Sequence, residues 1–195
     1  LSGPHGPTVT GTANVLSAAV LARGITTIRG AAIEPEIVDL GKFLIALGAR
    51  ISGIGTPTIR IEGVDQLGGA THRLIPDRIE AATLLMAVAS TGGSATVAGM
   101  APEHLSEVLA KLLAAGAEID VIADRVSIAA PGRRRAVDVV ARPYPGVPTD
   151  VQAQWTALMS LADGTSTVRD SVFCGRFLHV AELNRLGAKI AYDND

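Results

Sequence analysis

Apolar positions in this chain recur at two spacings, and the alternation between them divides the sequence into units. Val38, Leu40, Phe43, Leu44 and Leu47 fall at helical spacing, as do Leu105, Val108, Leu109, Leu112 and Leu113. Short β-branched runs around turns lie after each stripe, with Ile51, Ile59 and Ile61 in one and Val121, Val126 and Ile128 in the other; these predict strands. Pro35-Glu36 and Pro102-Glu103 mark helix starts, because Pro is tolerated in the first turn and an acid there meets the positive end of the helix dipole. Gly48 and Gly116 supply the helix ends, since glycine accepts the left-handed conformation that closes a helix. The two stripes read as core, and no chemistry is assigned to them.

The pattern occurs three times. Its plan is a small-residue helix, a Gly, a β-branched strand, an amphipathic helix, a Gly-Ala turn and another strand. The first copy reads NVLSAAVLARGITTIRGAAIEPEIVDLGKFLIALGARISG, the second TLLMAVASTGGSATVAGMAPEHLSEVLAKLLAAGAEIDV and the third WTALMSLADGTSTVRDSVFCGRFLHVAELNRLGAKIAY. Their anchor glycines are Gly24, Gly93 and Gly164, and the later turn glycines Gly48, Gly116 and Gly187 follow about 23 residues on. A period of roughly 70 residues is a repeated supersecondary unit rather than a short solenoid repeat. The first helix of each unit is so rich in Ala and Leu that burial on nearly every side is expected. The fold class is therefore α/β or α+β, built from repeats of buried helices walled by sheets. The third copy predicts a last strand at residues 189–192; since the chain opens on Leu1 and stops at Asp195 just after it, both ends are expected to be cut.

Composition narrows the function. Hydrophobic residues make up 48% of the chain but aromatics only 3%, so the core must come from Ala, Val, Leu and Ile. A formal net charge of -2, with no basic tract and no aromatic platform, argues against nucleic-acid binding. One cysteine, Cys174, excludes an intrachain disulfide and a cysteine-rich metal site; it fits a reducing cytosol and reads as a packed small residue. No apolar run reaches the roughly 18 residues of a membrane span, and no basic-then-apolar leader opens the chain.

The polar chemistry gathers before the first helix of each unit, in GPTVTGTAN, PDRIEAAT and PTDVQAQ. Helix N-termini present free N–H groups and partial positive charge, and two in one domain can converge on an anionic substrate such as a phosphate. The alternative is that these residues are simply caps. The third segment carries Asp150, with Gln152 and Gln154 beside it, and Asp150 can itself be an N-cap. Some 20 residues on, SVFCGRFLHVAEL sets Arg176 and His179 among Phe173 and Phe177. Arg pairs with carboxylate or phosphate and Phe stacks on a base, so this cluster points to anionic-substrate chemistry.

At these residues a resemblance emerges. AAIEPEIVDLGKFLIALGARISGIGT, IRIEGVDQLGG, PDRIEAATLLMA, PTDVQAQ and FCGRFLHVAEL, in this order, resemble the UDP-N-acetylglucosamine 1-carboxyvinyltransferase family of enolpyruvyl transferases, from about Pro7 onward. The resemblance implies an EPSP-synthase-like fold of two inside-out α/β barrel domains made of βαβαββ repeats. Residues 1–75 would then be the C-terminal part of the first domain and 76–195 part of the second, with Pro76-Asp77-Arg78 near the crossing. It implies a cytoplasmic enzyme that transfers an enolpyruvyl group from phosphoenolpyruvate to the 3-hydroxyl of UDP-N-acetylglucosamine, releasing phosphate, with no metal or organic cofactor.

By the same resemblance Asp150 would take the proton of the sugar 3-hydroxyl, and Arg176 would stabilise negative charge near phosphoenolpyruvate. Pro7, Thr8 and Val9 would belong to a loop that binds the UDP-sugar, Val172 would contact it through the backbone, and Phe173 would lie near the nucleotide. Glu34 and Glu36 match the family's EPE segment and are given no step. The chain departs from the family at Thr10, which stands where a glycine is usual. The family's Cys or Asp proton-donor loop, an N-terminal Lys and two further Arg positions have no counterpart in this chain, and Cys174 is not that cysteine. The chain alone is therefore expected to be an incomplete, inactive portion, its partners the missing segments of the same enzyme. The alternatives are the sister family that acts on shikimate 3-phosphate and a non-catalytic ligand-binding fragment.

Overall fold

A computed structural model of the protein describes residues 1–3 and 6–193. The chain divides into two compact units, Leu1–Ile75 and Pro76–Asp195.

In the first unit, the two-residue strands β1 (Ser2–Gly3) and β2 (Gly6–Pro7) pair antiparallel ahead of helix α1 (Val9–Ala19). Strand β3 (Ile25–Arg29), helix α2 (Pro35–Ala46) and strands β4 (Arg50–Ser52) and β5 (Thr58–Glu62) follow. The last strand inserts between the other two, giving the antiparallel order β3-β5-β4. Ile59 and Ile61 point inward from β5 and meet Leu16, Val20, Ile28 and Leu44 in one core. His72 donates from Nε2 to Asp39 Oδ1 at 3.0 Å and sets its ring 5.4 Å from that of Phe43, which fastens the end of the unit to α2.

The second unit repeats the plan. Helix α3 (Arg78–Thr91), strand β6 (Ser94–Ala98), a 3-10 turn (Pro102–Leu105) running into helix α4 (Ser106–Ala114), and strands β7 (Glu118–Ile122) and β8 (Arg125–Ala129) again give an inserted sheet, β6-β8-β7. A third copy then begins. Strand β9 (Val139–Ala141) crosses over through helix α5 (Gln152–Met159) to the parallel strand β10 (Val168–Asp170), and helix α6 (His179–Arg185) follows. The core of this unit is built on Leu85, Met86, Leu112, Ile128, Trp155 and Leu158.

The repeat glycines show why the units match. Gly48, Gly116 and Gly187 have φ of 104°, 97° and 103°. Each closes its helix with the same two bonds. In the first, Gly48 N–H reaches Ile45 O at 2.9 Å and Ala49 N–H reaches Leu44 O at 3.0 Å. The second pairs Gly116 with Leu113 and Ala117 with Leu112, the third Gly187 with Asn184 and Ala188 with Leu183. This is the Schellman motif, and only glycine takes such a φ without steric cost.

Three expectations are corrected. Residues 189–192 form no strand, because the Asn184 side chain takes both backbone groups of Ile190, accepting from its N–H and donating to its O at 2.9 Å each. The helical stripes are only partly core: Leu113 is 48% exposed, and in α2 the buried aliphatics are Ile37 and Leu44. The first helices are not buried all round either. A single three-stranded sheet and the neighbouring α2 cover one side of α1, leaving Val15 on its open side, and Leu84 on α3 is 50% exposed. Among the described residues no helix is long and apolar enough to cross a membrane.

Candidate functional site

The three polar segments that precede a first helix separate into two kinds. In the first unit Thr8 is the N-cap of α1, its Oγ1 accepting from Gly11 N–H at 3.2 Å. Pro7 is half-buried in β2 and Val9 opens the helix. Thr12, fully buried one turn on, donates to Thr8 O at 2.7 Å and accepts from Ala32 N–H at 3.0 Å, tying the cap to the stretch before α2. Thr10 is helical and exposed, so this backbone asks for no glycine at the position where the resemblance expects one. In the second unit Asp77 caps α3, its Oδ1 accepting from Ile79 and Glu80 N–H at 2.8 and 3.1 Å. Both side chains are occupied as caps.

Asp150 is different. It lies inside the 3-10 turn Thr149–Val151 that leads into α5, where Pro148 holds the cap position and no side chain caps the turn. Its carboxylate instead accepts from Arg176 Nη1 at 3.0 Å. Arg176 Nη1 also donates to Thr149 Oγ1 at 3.3 Å, and the guanidinium carbon sits 5.5 Å from the centre of the Phe173 ring. The N-terminal ends of α3 and α5 come to the same side of the unit, joined by Gln154 Nε2 donating to Thr83 Oγ1 at 3.0 Å.

The segment after β10 is held by one buried acid. Asp170 Oδ1 accepts from the N–H groups of Val172 and Phe173 at 2.9 and 2.8 Å, and its Oδ2 accepts from the Thr149 hydroxyl at 2.5 Å. Ser171 reaches Ala141 O through both its N–H and its hydroxyl, and Arg176 N–H closes a turn onto Phe173 O at 3.0 Å. This fold-back brings Arg176 beside Asp150. Phe173 is 55% exposed, an open apolar face next to the cation.

Other residues of the cluster fare differently. Gln152 is fully buried, with no hydrogen-bond partner for its amide among the described residues. The His179 ring lies 6.0 Å from that of Phe177, and burial lowers its pKa. Cys174 is exposed and not packed, because the turn carrying it projects from the end of β10. Glu34 is buried at the start of α2, whereas Glu36 is exposed. The sequence reading missed Thr149 and Asp170. An acid ending a strand and followed two and three residues on by turn amides was the available signal for Asp170. Pro7, Thr8 and Val9 belong to the first unit, and Asp150, Val172, Phe173 and Arg176 to the second.

The repeats define an α/β protein built from a recurring helix-and-sheet unit, with an ion pair at the start of α5. A family model described as EPSP synthase (3-phosphoshikimate 1-carboxyvinyltransferase) matches residues 5–195, and the chain belongs to that family. It is 50% identical over 188 residues to UDP-N-acetylglucosamine 1-carboxyvinyltransferase of Geotalea daltonii, covering 96% of this chain and 45% of that protein. The crystal structure of the enolpyruvyl transferase NikO from Streptomyces tendae superposes with a TM-score of 0.79 at 30% identity, over 96% of this chain and 45% of that one. The chain thus spans a little under half the length of the relatives it matches.

Proposed function

We propose that the complete protein carrying this chain transfers the enolpyruvyl group of phosphoenolpyruvate to the 3-hydroxyl of UDP-N-acetylglucosamine and releases phosphate. The reaction would commit the sugar nucleotide to peptidoglycan synthesis in the cytoplasm, and through it serve cell-wall biogenesis, cell shape and division. The observation that carries the reading is the Asp150–Arg176 pair at 3.0 Å, held at the start of α5 beside the open Phe173 ring.

In this reading Asp150 takes the proton of the attacking hydroxyl, which requires a carboxylate within hydrogen-bond reach. Arg176, a fixed cation with planar donors, stabilises negative charge on the enolpyruvyl donor. Phe173 and the Val172 backbone lie near the nucleotide, and Pro7, Thr8 and Val9 belong to a loop that binds the UDP-sugar. Residues 1–75 would be the C-terminal part of the first domain implied by the family, and 76–195 part of the second. The remaining catalytic groups come from parts of the protein outside these residues, so the 195-residue chain alone is expected to be inactive.

The family model's own description supports a second reading, with shikimate 3-phosphate as acceptor. One experiment separates them. Phosphate release by the complete protein is measured with phosphoenolpyruvate and either acceptor. Release only with the UDP-sugar upholds the proposal; release only with the shikimate compound replaces it with the second reading.

A further inference from the structure

We propose that Asp170 is a positioning residue that sets the polarity of the Thr149 hydroxyl and thereby holds Arg176 against Asp150. This rests on the function proposed above and assigns a role to a residue that does not itself touch the reacting atoms. Asp170 is buried, 7% exposed, and has the acceptor-only chemistry of a carboxylate. Its two oxygens are divided. Oδ1 takes the Val172 and Phe173 amides, which folds the segment carrying Arg176 back towards Thr149, and Oδ2 takes the Thr149 hydroxyl proton.

A hydroxyl has one proton. With that proton committed to Asp170, Thr149 Oγ1 can only accept on its remaining side, and Arg176 Nη1 is the donor there, at 3.3 Å. The same Nη1 donates to Asp150 Oδ1 at 3.0 Å. Arg176 therefore sits between two acceptors, one fixed by the turn and one oriented from behind by a buried acid. Without Asp170 the Thr149 hydroxyl is free to rotate, and its oxygen is no longer held as an acceptor aimed at the guanidinium.

Two substitutions isolate this relay. Asp170→Asn keeps the size and one carbonyl oxygen. The two backbone N–H groups claim that oxygen, so the new NH2 faces Thr149 and forces its hydroxyl to accept. Thr149→Val leaves every bond of Asp170 to the backbone intact and deletes only the relay, so it remains informative if Asp170→Asn does not fold. In the complete protein each is expected to lower kcat on the order of 10- to 100-fold, with a much smaller change in KM for the UDP-sugar. Thr149→Ser should recover most of the loss, and the double variant should be no worse than the poorer single one. Wild-type kcat in Thr149→Val, or losses that simply multiply, would overturn the proposal.

Crystal structures of the same variants test the positioning without reference to substrate. Separation of Arg176 from Asp150 beyond ion-pair range, about 4 Å, is expected in both. An unmoved Arg176 in Thr149→Val would overturn the role even if turnover fell. Should the unaltered protein fail to turn over the UDP-sugar, the functional reading falls, and the crystallographic arm still decides what Asp170 does.

Discussion

Arg176 Nη1 stands 3.0 Å from Asp150 Oδ1, across 26 residues of sequence, with the two side chains 48% and 51% exposed. An ion pair this open contributes on the order of 0–1 kcal/mol to stability, so the fold has little need of it. Substantial construction nevertheless goes into the pair: a 3-10 turn that denies Asp150 a capping role, and a strand-end turn that carries Arg176 back to it. That imbalance between effort and stability favours the catalytic role proposed for the pair.

Asp150→Asn in the complete protein should lower turnover by about 10²- to 10⁴-fold, the range of a lost general base, and leave UDP-sugar binding within a few-fold. Steady-state phosphate release and calorimetric titration of the UDP-sugar measure the two quantities. Equal losses in both would assign Asp150 to binding and remove its role as base.

Arg176→Lys keeps the charge but loses the planar fork and the face that lies 5.5 Å over the Phe173 ring. An ammonium cannot stack and reach Asp150 and Thr149 in the same geometry. A fall in kcat/KM for phosphoenolpyruvate on the order of 10-fold or more is expected. Retention of kcat/KM within twofold would show that charge alone suffices.

How far the sequence could be read follows from the same local rules. The repeat was legible because its punctuation is steric: a helix closing through a φ near 100° requires glycine, and Gly48, Gly116 and Gly187 mark the same turn three times. The strands around Ile59, Ile61, Val126 and Ile128 were legible because each insertion strand is buried on one face. The failures were places where a side chain overrides backbone propensity. Asn184 takes the hydrogen bonds that a strand through Ile190 would have used. The site was half legible. Asp150 and Arg176 stood out by type, but Thr149 and Asp170, which bond around them, have partners 27 and 21 residues away in the chain.

Backbone strain in the second unit makes a paired prediction of opposite sign. Ala123, in the two-residue turn between β7 and β8, has φ 53°. Ala123→Gly should stabilise the protein by about 0.5–1 kcal/mol, the left-handed penalty less the added chain entropy. Gly116→Ala should cost about 1–2 kcal/mol, and for conformational reasons alone, because a Cβ there meets Arg135 Nε at an ordinary 3.7 Å. Urea midpoints of the two variants would be compared. A shift of both in the same direction would show that backbone conformation does not govern these turns.

His179 provides the pH test. Burial lowers its pKa from the ordinary 6.5, because the charged imidazolium is poorly solvated beside Phe177. The folded state therefore binds fewer protons at this ring than the unfolded state does, and stability rises with pH through the region where the two differ. The contribution is present above the unfolded value and is lost as pH falls through the folded one. Replacing His179 with Phe removes the titrating group, so the difference in unfolding free energy between variant and parent should grow in the variant's favour below pH 6.5 and stay flat above it. Histidine proton NMR of the folded protein, with urea unfolding at several pH values, checks both halves. A His179 resonance that titrates above the ordinary value, or a variant that gains relative stability as pH rises, would mean that the ring is charged in the fold and paired with an acid.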